Sequence, residues 1–302
     1  MKIILAGGNG FLGKVLCQHF AETNDIIILS RGTSGSRNGV RYEHWDAKTI
    51  GPWAKTLENA DVVINLVGRS VDCRYNEKNK KEILESRIDS TTVLGNAIMA
   101  CQNPPKLWLN SASATIYRHS LDRQMTEEDG EIGEGFSVGI CKAWEKAFYD
   151  FKLPATRQVA LRISIVLGRT GGAIKPLTNL AKLFLGGRQG SGEQFFSWVH
   201  EEDYARIVEF IIEHEELSGS INTVSPKPVR NKDLMKAIRK SVHRPFGLPM
   251  PKWMLEFGAI IIRTETELII KSRNVIPKRL VDAGFEFKYG DLDSALKEIN
   301  DR

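Results

Sequence analysis

The chain has 302 residues, 42% hydrophobic and 26% charged, ordinary globular values that exclude an intrinsically disordered protein. Its 42 basic residues stand against 37 acidic ones, and the net charge of +5 is made of interspersed signs, which excludes a nucleic-acid footprint. Four scattered cysteines, Cys17, Cys73, Cys101 and Cys141, form no C-x-x-C pair, so no zinc site or disulfide framework is expected and a reducing compartment fits. Apolar runs such as 26–29 and 259–262 are too short to span a bilayer and no targeting segment is read, so a cytoplasmic location without membrane contact is expected.

The chain opens on a buried strand, Ile3-Ile4-Leu5-Ala6, which breaks into Gly7-Gly8-Asn9-Gly10-Phe11-Leu12-Gly13. An amphipathic helix comes next, with Val15, Leu16 and Phe20 on its apolar side, and a second buried strand runs from Ile26 to Leu29. Glycines at 7, 10 and 13 between a strand and a helix form the G-x-x-G-x-x-G variant of the dinucleotide fingerprint. Gly7 permits the tight turn, Gly10 admits a pyrophosphate to the backbone, and Gly13 lets helix and strand pack closely. After the second strand, where an NAD site carries Asp or Glu, the chain has Ser30-Arg31-Gly32 and then Arg37. A hydroxyl and a guanidinium suit a 2′-phosphate, so NADP(H) is the expected cofactor; a merely solvated Arg31 is the alternative.

Residues 40–46 alternate like a short strand, and Asp46 at its end either accepts a hydrogen bond from an adenine amino group or caps the next turn of the chain. A short helix is expected over 53–59, a buried strand over 61–68 and a long helix over 77–101, stopped by Pro104-Pro105. A strand from Lys106 to Asn110 runs into Ser111-Ala112-Ser113-Ala114-Thr115-Ile116-Tyr117. A polar loop covers 119–135, a helix 137–152 and a strand 159–167. Further on, a helix over 174–185 and a glycine-rich loop over 186–192 precede a strand over 195–200, a helix from 201 with acids in its first turn, and a last sheet strand over 220–224. From about Pro245 the chain is Pro-rich, then helical, ending in a short Phe285-Glu286-Phe287 strand and a helix over 291–300. The order describes an α/β, doubly wound parallel-sheet Rossmann fold over 1–244, with 171–198 contributing to the substrate side and a small, mostly helical C-terminal module over 245–302.

SASATIY and the downstream VGICK resemble the extended short-chain dehydrogenase/reductase superfamily, whose sugar epimerases carry a similar Ser-Ala-Thr-x-Tyr stretch and a Tyr-x-x-x-Lys pair. NLVG, ILESRIDST, CKAWE, VLGRTGGA, GGRQGSGEQFFSWVH, VSPKPV and VIPKRLVDAGFEF narrow the resemblance to its atypical, epimerase-like branch, over residues 1 to about 299 and including that branch's own C-terminal module. The resemblance implies that Gly7, Gly10, Phe11, Leu12 and Gly13 hold the pyrophosphate and that Ser30 and Arg31 take the adenosine phosphate. It further implies that Leu66, Val67 and Gly68 line the cofactor, that Glu82 and Arg87 face it, and that Val166 lies near the nicotinamide.

The same resemblance implies Ser113 and Lys142 as catalytic residues, but the tyrosine slot four positions before Lys142 holds Val138, which cannot move a proton. Three readings are open. Tyr117, Cys141 or His200 substitutes, although packing, a buried thiol and a structural strand-end histidine are the respective alternatives. Otherwise the chemistry needs no tyrosine, since the cofactor carries the hydride. In the third reading the protein binds NADP(H) without turnover. Lys142 itself is equally read as a solvated helix lysine. Trp144, Glu145 and Trp198 are expected in the core or pocket wall, and Arg162 either binds an acidic substrate or makes a structural ion pair. The expected function is therefore an NADP(H)-dependent oxidoreductase or epimerase-like enzyme on a small polar metabolite, or else a non-catalytic NADP(H)-binding regulator. A small-molecule substrate is the expected partner, with no nucleic acid and no metal.

Overall fold

The computed structural model describes residues 1–262 and 265–300. In chain order the elements begin with β1 (Lys2–Ala6), α1 (Phe11–Phe20), β2 (Asp25–Ser30), β3 (Gly35–Arg37), β4 (Val40–His44), β5 (Val62–Asn65) and α2 (Glu77–Met99). They continue with β6 (Leu107–Ser113), α3 (Phe136–Tyr149), β7 (Arg157–Ile163), β8 (Ile165–Leu167), α4 (Ile174–Lys182), β9 (Phe195–Phe196), β10 (Trp198–His200) and α5 (Glu201–Glu213). The remainder is β11 (Gly219–Thr223), β12 (Val229–Arg230), α6 (Asn231–Ser241), α7 (Lys252–Ile262), α8 (Glu267–Ile270), α9 (Lys278–Asp282) and α10 (Leu292–Asn300).

The main sheet runs β11-β7-β6-β5-β1-β2-β4-β3, parallel throughout except where β3 turns back antiparallel on β4. Its central strands are continuous apolar runs because both faces are covered. Ile3 and Leu5 of β1 pack with Leu16 and Phe20 of α1 and with Tyr204 and Val208 of α5. Their neighbours Ile4 and Ala6 point to the opposite face, where Val93 and Leu94 of α2 and Phe148 of α3 complete a second layer. Burying a side chain such as Leu16 or Phe20, 0% and 2% exposed, stabilises the fold by roughly 2 kcal/mol.

Three expected elements differ. The strand expected over 195–200 is split at Ser197 into β9, which pairs with β12, and β10, which pairs with β8. The strand expected over 159–167 is broken at Ser164: β7 stays in the main sheet, whereas β8 leaves it to pair with β10 through Ile165–Trp198, Val166–Val199 and Leu167–His200. The break falls where β6 ends, since Ile163 is matched to Ser113 and β7 has no further partner on that side. Phe285-Glu286-Phe287 alternates in burial but is not a strand. Among the described residues it pairs with no strand; the Phe285 ring meets Phe210 of α5 at 5.2 Å and Phe287 at 4.8 Å.

A further core joins Leu167, Ile174 and Trp198 to Leu234 and Ile238 of α6 and to Ala295, Leu296 and Ile299 of α10. It draws on residues either side of 244. The tail is stitched back to the sheet by Asp203, fully buried at the start of α5, whose carboxylate accepts the Lys288 and Tyr289 amides at 2.9 and 2.8 Å. The segment 271–276 threads between 120–125 and 195–197: Met125 N donates to Asn274 O at 2.7 Å and Arg273 N to Phe195 O at 2.8 Å. This threading brings C-terminal side chains over the ends of β6 and β7.

Candidate functional site

The turn after β1 is built by glycine. Gly7 takes φ +80°, and a Cβ there would lie 3.1 Å from Val67 Cγ2, so residues 66–67 close directly on the turn. At Gly13 a Cβ would fall 2.4 Å from Gly8 Cα, which only glycine avoids. Gly10, the N-cap of α1, would meet nothing but Gly7 O at 3.4 Å and offers no side-chain cap. The first intrahelical bond is Lys14 N to Gly10 O at 2.9 Å, so the amides of Phe11, Leu12 and Gly13 precede the ladder and face outward at the positive end of the helix. The Phe11 ring fills the space beside Gly168 and Gly171, where Cβ atoms would come within 2.5 and 2.4 Å, and so ties the turn to the loop after β8.

This backbone fits the pyrophosphate of a dinucleotide: an open cradle, three unbonded amides and no carboxylate in the turn. Ser30 ends β2, its Oγ accepting the Gly32 amide at 3.3 Å. Arg31 beside it is exposed, and no carboxylate holds it among the described residues. Arg37 lies over the Tyr42 ring at 5.3 Å. Of the two roles expected for Asp46, the structure displays the cap: Oδ1 accepts the Lys48 and Thr49 amides at 2.8 Å, which holds its carboxyl down at about 2.

At the end of β5, Asn65 Oδ1 accepts the Val67 amide at 3.1 Å, and its Nδ2 donates to Asn110 Oδ1 at 2.7 Å and Thr91 Oγ1 at 3.3 Å. Trp144 Nε1 also donates to Thr91 at 3.1 Å, so one buried network fixes the ends of β5 and β6 against α2 and α3. Arg87 lies against Gly68, whose Cβ would be 3.1 Å from the guanidinium carbon, and 4.9 Å over the Trp144 ring. Its Nη1 donates to Ile83 O and Arg69 O. Glu82, by contrast, is committed to an ion pair with Arg69. Val166 is buried in β8, and a Cβ at Gly172 would strike its carbonyl oxygen at 2.1 Å.

Beyond this groove, Ser113 ends β6 and its Oγ accepts the Thr115 amide at 3.2 Å. Val138 is fully buried. Lys142 lies on the exposed stripe of α3 with Gly139 and Lys146, away from the buried stripe of Ser137, Cys141, Trp144 and Glu145. The i, i+4 pair that reaches the C-terminal segment is therefore Ser137 and Cys141, one residue ahead of Val138 and Lys142: Ser137 Oγ donates to Glu267 Oε2 at 3.0 Å.

Of the three candidate substitutes for the missing tyrosine, Tyr117 and His200 are hydrogen-bonded in place and Cys141 is buried. Tyr117 OH donates to Asn222 Oδ1 at 2.9 Å and accepts from Arg162 Nη1 at 2.7 Å, and burial raises its pKa. Burial pushes the Cys141 thiol up to about 11, so it is neutral. His200 caps α5, its Nδ1 accepting the Glu202 amide at 3.2 Å, which leaves Nε2 to donate to Glu298 at 3.0 Å. Arg162 is a structural ion pair, forked onto Glu145 by two 2.8 Å bonds. Trp198 is core.

Sequence reasoning missed Lys271, Arg273 and Glu267. Lys271 Nζ donates to Thr115 O at 2.7 Å, and Arg273 Nε to Thr115 Oγ1 at 3.1 Å. Burial, with Arg273 beside it, pulls the Lys271 ammonium down to about 8. A cleft of about 420 Å³ is lined by Arg118, His119 and Glu134 together with Glu267, Ile270 and Lys271, so Lys271 is the member of the pair that reaches it. The signal was a Lys-x-Arg pair inside an apolar run, IIKSRNVI. Among the described residues no group of three or more His, Cys, Asp or Glu side chains is placed to hold a metal, and no helix is long and apolar enough to cross a membrane.

Fold and groove together define a doubly wound dinucleotide-binding protein of the Rossmann kind. The chain belongs to the NAD dependent epimerase/dehydratase family, whose model matches residues 3–223; residues 250–299 match a domain of unknown function, DUF1731. It is similar to the epimerase family protein YfhF of Bacillus subtilis (strain 168), at 33% identity over 302 residues covering 99% of this chain and 98% of that one. It is also similar to the crystal structure of human epimerase family protein SDR39U1 (isoform 2) with NADPH, at TM-score 0.88, 31% identity and 100% coverage of both chains. A nucleoside-diphosphate sugar epimerase from Corynebacterium glutamicum aligns at TM-score 0.79 and 26% identity over 100% of this chain and 59% of that one.

Proposed function

We propose that this chain is an NADP(H)-dependent oxidoreductase or epimerase-like enzyme acting on a small polar metabolite at the C-terminal ends of β6 and β7. The observation that carries the reading is the open, uncapped N-terminus of α1 facing the end of β2, where Arg31 stands in place of a carboxylate. The NADPH in the human relative's crystal structure supports the same choice of nucleotide. When bound, the nicotinamide supplies or takes the hydride. The chain's own part is to bind and orient: Phe11, Leu12 and Gly13 amides at the pyrophosphate, Ser30 and Arg31 at the 2′-phosphate, Leu66–Gly68 and Val166 along the groove. Ser113 keeps its hydroxyl proton free to donate to a substrate oxygen, since Thr115 uses only its lone pair. Lys271 donates to Thr115 O at 2.7 Å, the residue whose amide donates to Ser113, and its ammonium, pulled down to about 8 and still largely charged at neutral pH, is the candidate proton donor in place of the tyrosine that Val138 replaces.

A second reading, a non-catalytic NADP(H)-binding module, is favoured by one observation: Tyr117 and His200 are each held by structural hydrogen bonds, and Cys141 is buried at 4% exposure. Turnover separates the two. Purified protein with NADPH is followed at the nicotinamide absorbance against a panel of small carbonyl compounds; the enzyme reading expects oxidation with at least one, abolished in Ser113→Ala together with Lys271→Gln. Nucleotide binding without oxidation or epimerisation of any panel member would leave the binding-module reading standing.

A further inference from the structure

Three cations and one carboxylate meet where the C-terminal segment crosses α2 and α3. Arg87 of α2 lies 4.9 Å over the Trp144 ring of α3, Lys271 and Arg273 both donate to Thr115, and Glu267 accepts from Ser137 of α3. They come from separate parts of the chain: Arg87 from α2, Cys141 and Ser137 from α3, Thr115 from the turn after β6, and the rest from 267–273. Arg273 is only 6% exposed, and no carboxylate lies within ion-pair distance of Arg87, Lys271 or Arg273 among the described residues.

A buried guanidinium without a counter-ion is costly unless its donors are used. Their hydrogen bonds are countable. Arg273 spends Nε on Thr115 Oγ1 and Nη1 on the carbonyls of Leu268 and Lys271, and Nη2 has no protein partner among the described residues. Lys271 spends one of three ammonium protons, on Thr115 O. Arg87 spends only Nη1, leaving Nε and Nη2. Glu267 does not absorb this surplus, because it accepts from Ser137 and makes no ion pair with any of the three. What remains is a set of converging, charged donors with an excess of positive charge, beside Ser113 and next to the groove that Gly68 and Arg87 share.

We propose that this pocket recognises an oxyanion, a carboxylate or phosphate group on the small-molecule substrate, with Lys271 and Arg273 as its ligands and Arg87 closing it from the nucleotide side. The inference rests on the proposed enzyme function only in calling the ligand a substrate; the pocket itself is independent of NADP(H). Lys271 supplies a rotatable ammonium and Arg273 a planar fork, a pairing suited to a flat carboxylate or to two oxygens of a phosphate.

The test uses the full chain and three probes, oxalate, inorganic phosphate and oxamide, the last a neutral isostere of oxalate. Each is titrated by calorimetry with and without NADPH, into wild type, Lys271→Gln, Lys271→Arg and Arg273→Lys, with thermal melts to confirm folding. Saturable binding of oxalate or phosphate, no binding of oxamide, weakening by about tenfold or more in Lys271→Gln and retention in Lys271→Arg are expected. Oxalate bound better than phosphate assigns a carboxylate substrate, and the reverse a phosphorylated one. No saturable binding of either anion, or equal binding by folded Lys271→Gln, overturns the proposal. Should NADPH fail to bind while an anion binds through Lys271, the nucleotide reading falls and the pocket stands.

Discussion

Glu145 and Arg162 each keep 11% of their side-chain surface, and the fork between them is the floor on which Tyr117 rests through Arg162 Nη1. Removing one partner strands the other charge in the interior. Glu145→Ala is therefore expected to destabilise the protein by roughly 3–5 kcal/mol in denaturant titration; a loss under about 1 kcal/mol would mean that the pair is not buried as described. Cys141 carries the opposite expectation. With its thiol neutral and 4% exposed, it resists iodoacetamide in the native protein at pH 7.5, whereas Cys73, half-buried at the surface, reacts; mass spectrometry of the alkylated peptides reads this directly. Lys271 sets a pH dependence. Only its ammonium binds an oxyanion, so affinity is full below its pKa of about 8 and falls as pH rises through that value, the bound anion itself moving the midpoint upward. The titratable and charged groups facing it are Arg273 and Glu267 on its own segment, the neutral Cys141 thiol on α3, and Arg118, His119 and Glu134 between β6 and α3. Anion titrations at pH 6.5 and 9.5 check the sign; rising affinity at the higher pH would contradict it.

At the scale of elements, the start of α1 and the phase of α3 differ in how far the sequence discloses them. Gly7 and Gly13 are legible because local backbone geometry demands them, and Gly10 because its open space is what a pyrophosphate would need; the structure gives the distances. A methyl at Gly13 would sit 2.4 Å from Gly8 Cα, so Gly13→Ala is expected to cost about 1–3 kcal/mol and to abolish nucleotide binding, read by melting and by NADPH fluorescence. The phase of α3 is not local. One residue is a rotation of about 100°, and tertiary packing decides which stripe faces in, so Val138 and Lys142 read as well from the sequence as Ser137 and Cys141. The ion pair of Glu145 with Arg162 and the bond from Ser137 to Glu267 settle that choice, and both involve residues far along the chain. The break at Ser164 was hidden for the same reason: VALRISIVL is apolar apart from Arg162 and Ser164, a lone serine does not end a strand, and the length of β6 determines where the chain must leave the sheet.

Across the whole molecule, the sheet and its two covering layers were readable from periodicity, whereas the C-terminal side of the site was not. Lys271 reaches Thr115 across 156 positions, and no local pattern encodes such a contact. The tail is nonetheless integral to the fold, since α10 shares a core with α4 and α6 and the 271–276 segment hydrogen-bonds to two loops at the strand ends. The proposed nucleotide groove of the first strands and α1 thus lies beside the proposed cationic pocket, which the 267–273 segment completes.

The proposed selectivity of the groove for NADP(H) is read by a fluorescence titration of the purified protein with NADPH and NADH, run beside Arg31→Asp. Arg31 is exposed and unpaired among the described residues, so its replacement leaves the fold intact while placing a carboxylate where the 2′-phosphate would sit. Binding of NADPH about tenfold or more tighter than NADH, with that preference lost or reversed in Arg31→Asp, is the predicted result. Equal affinity for the two nucleotides, or a preference untouched by the substitution, would contradict the account.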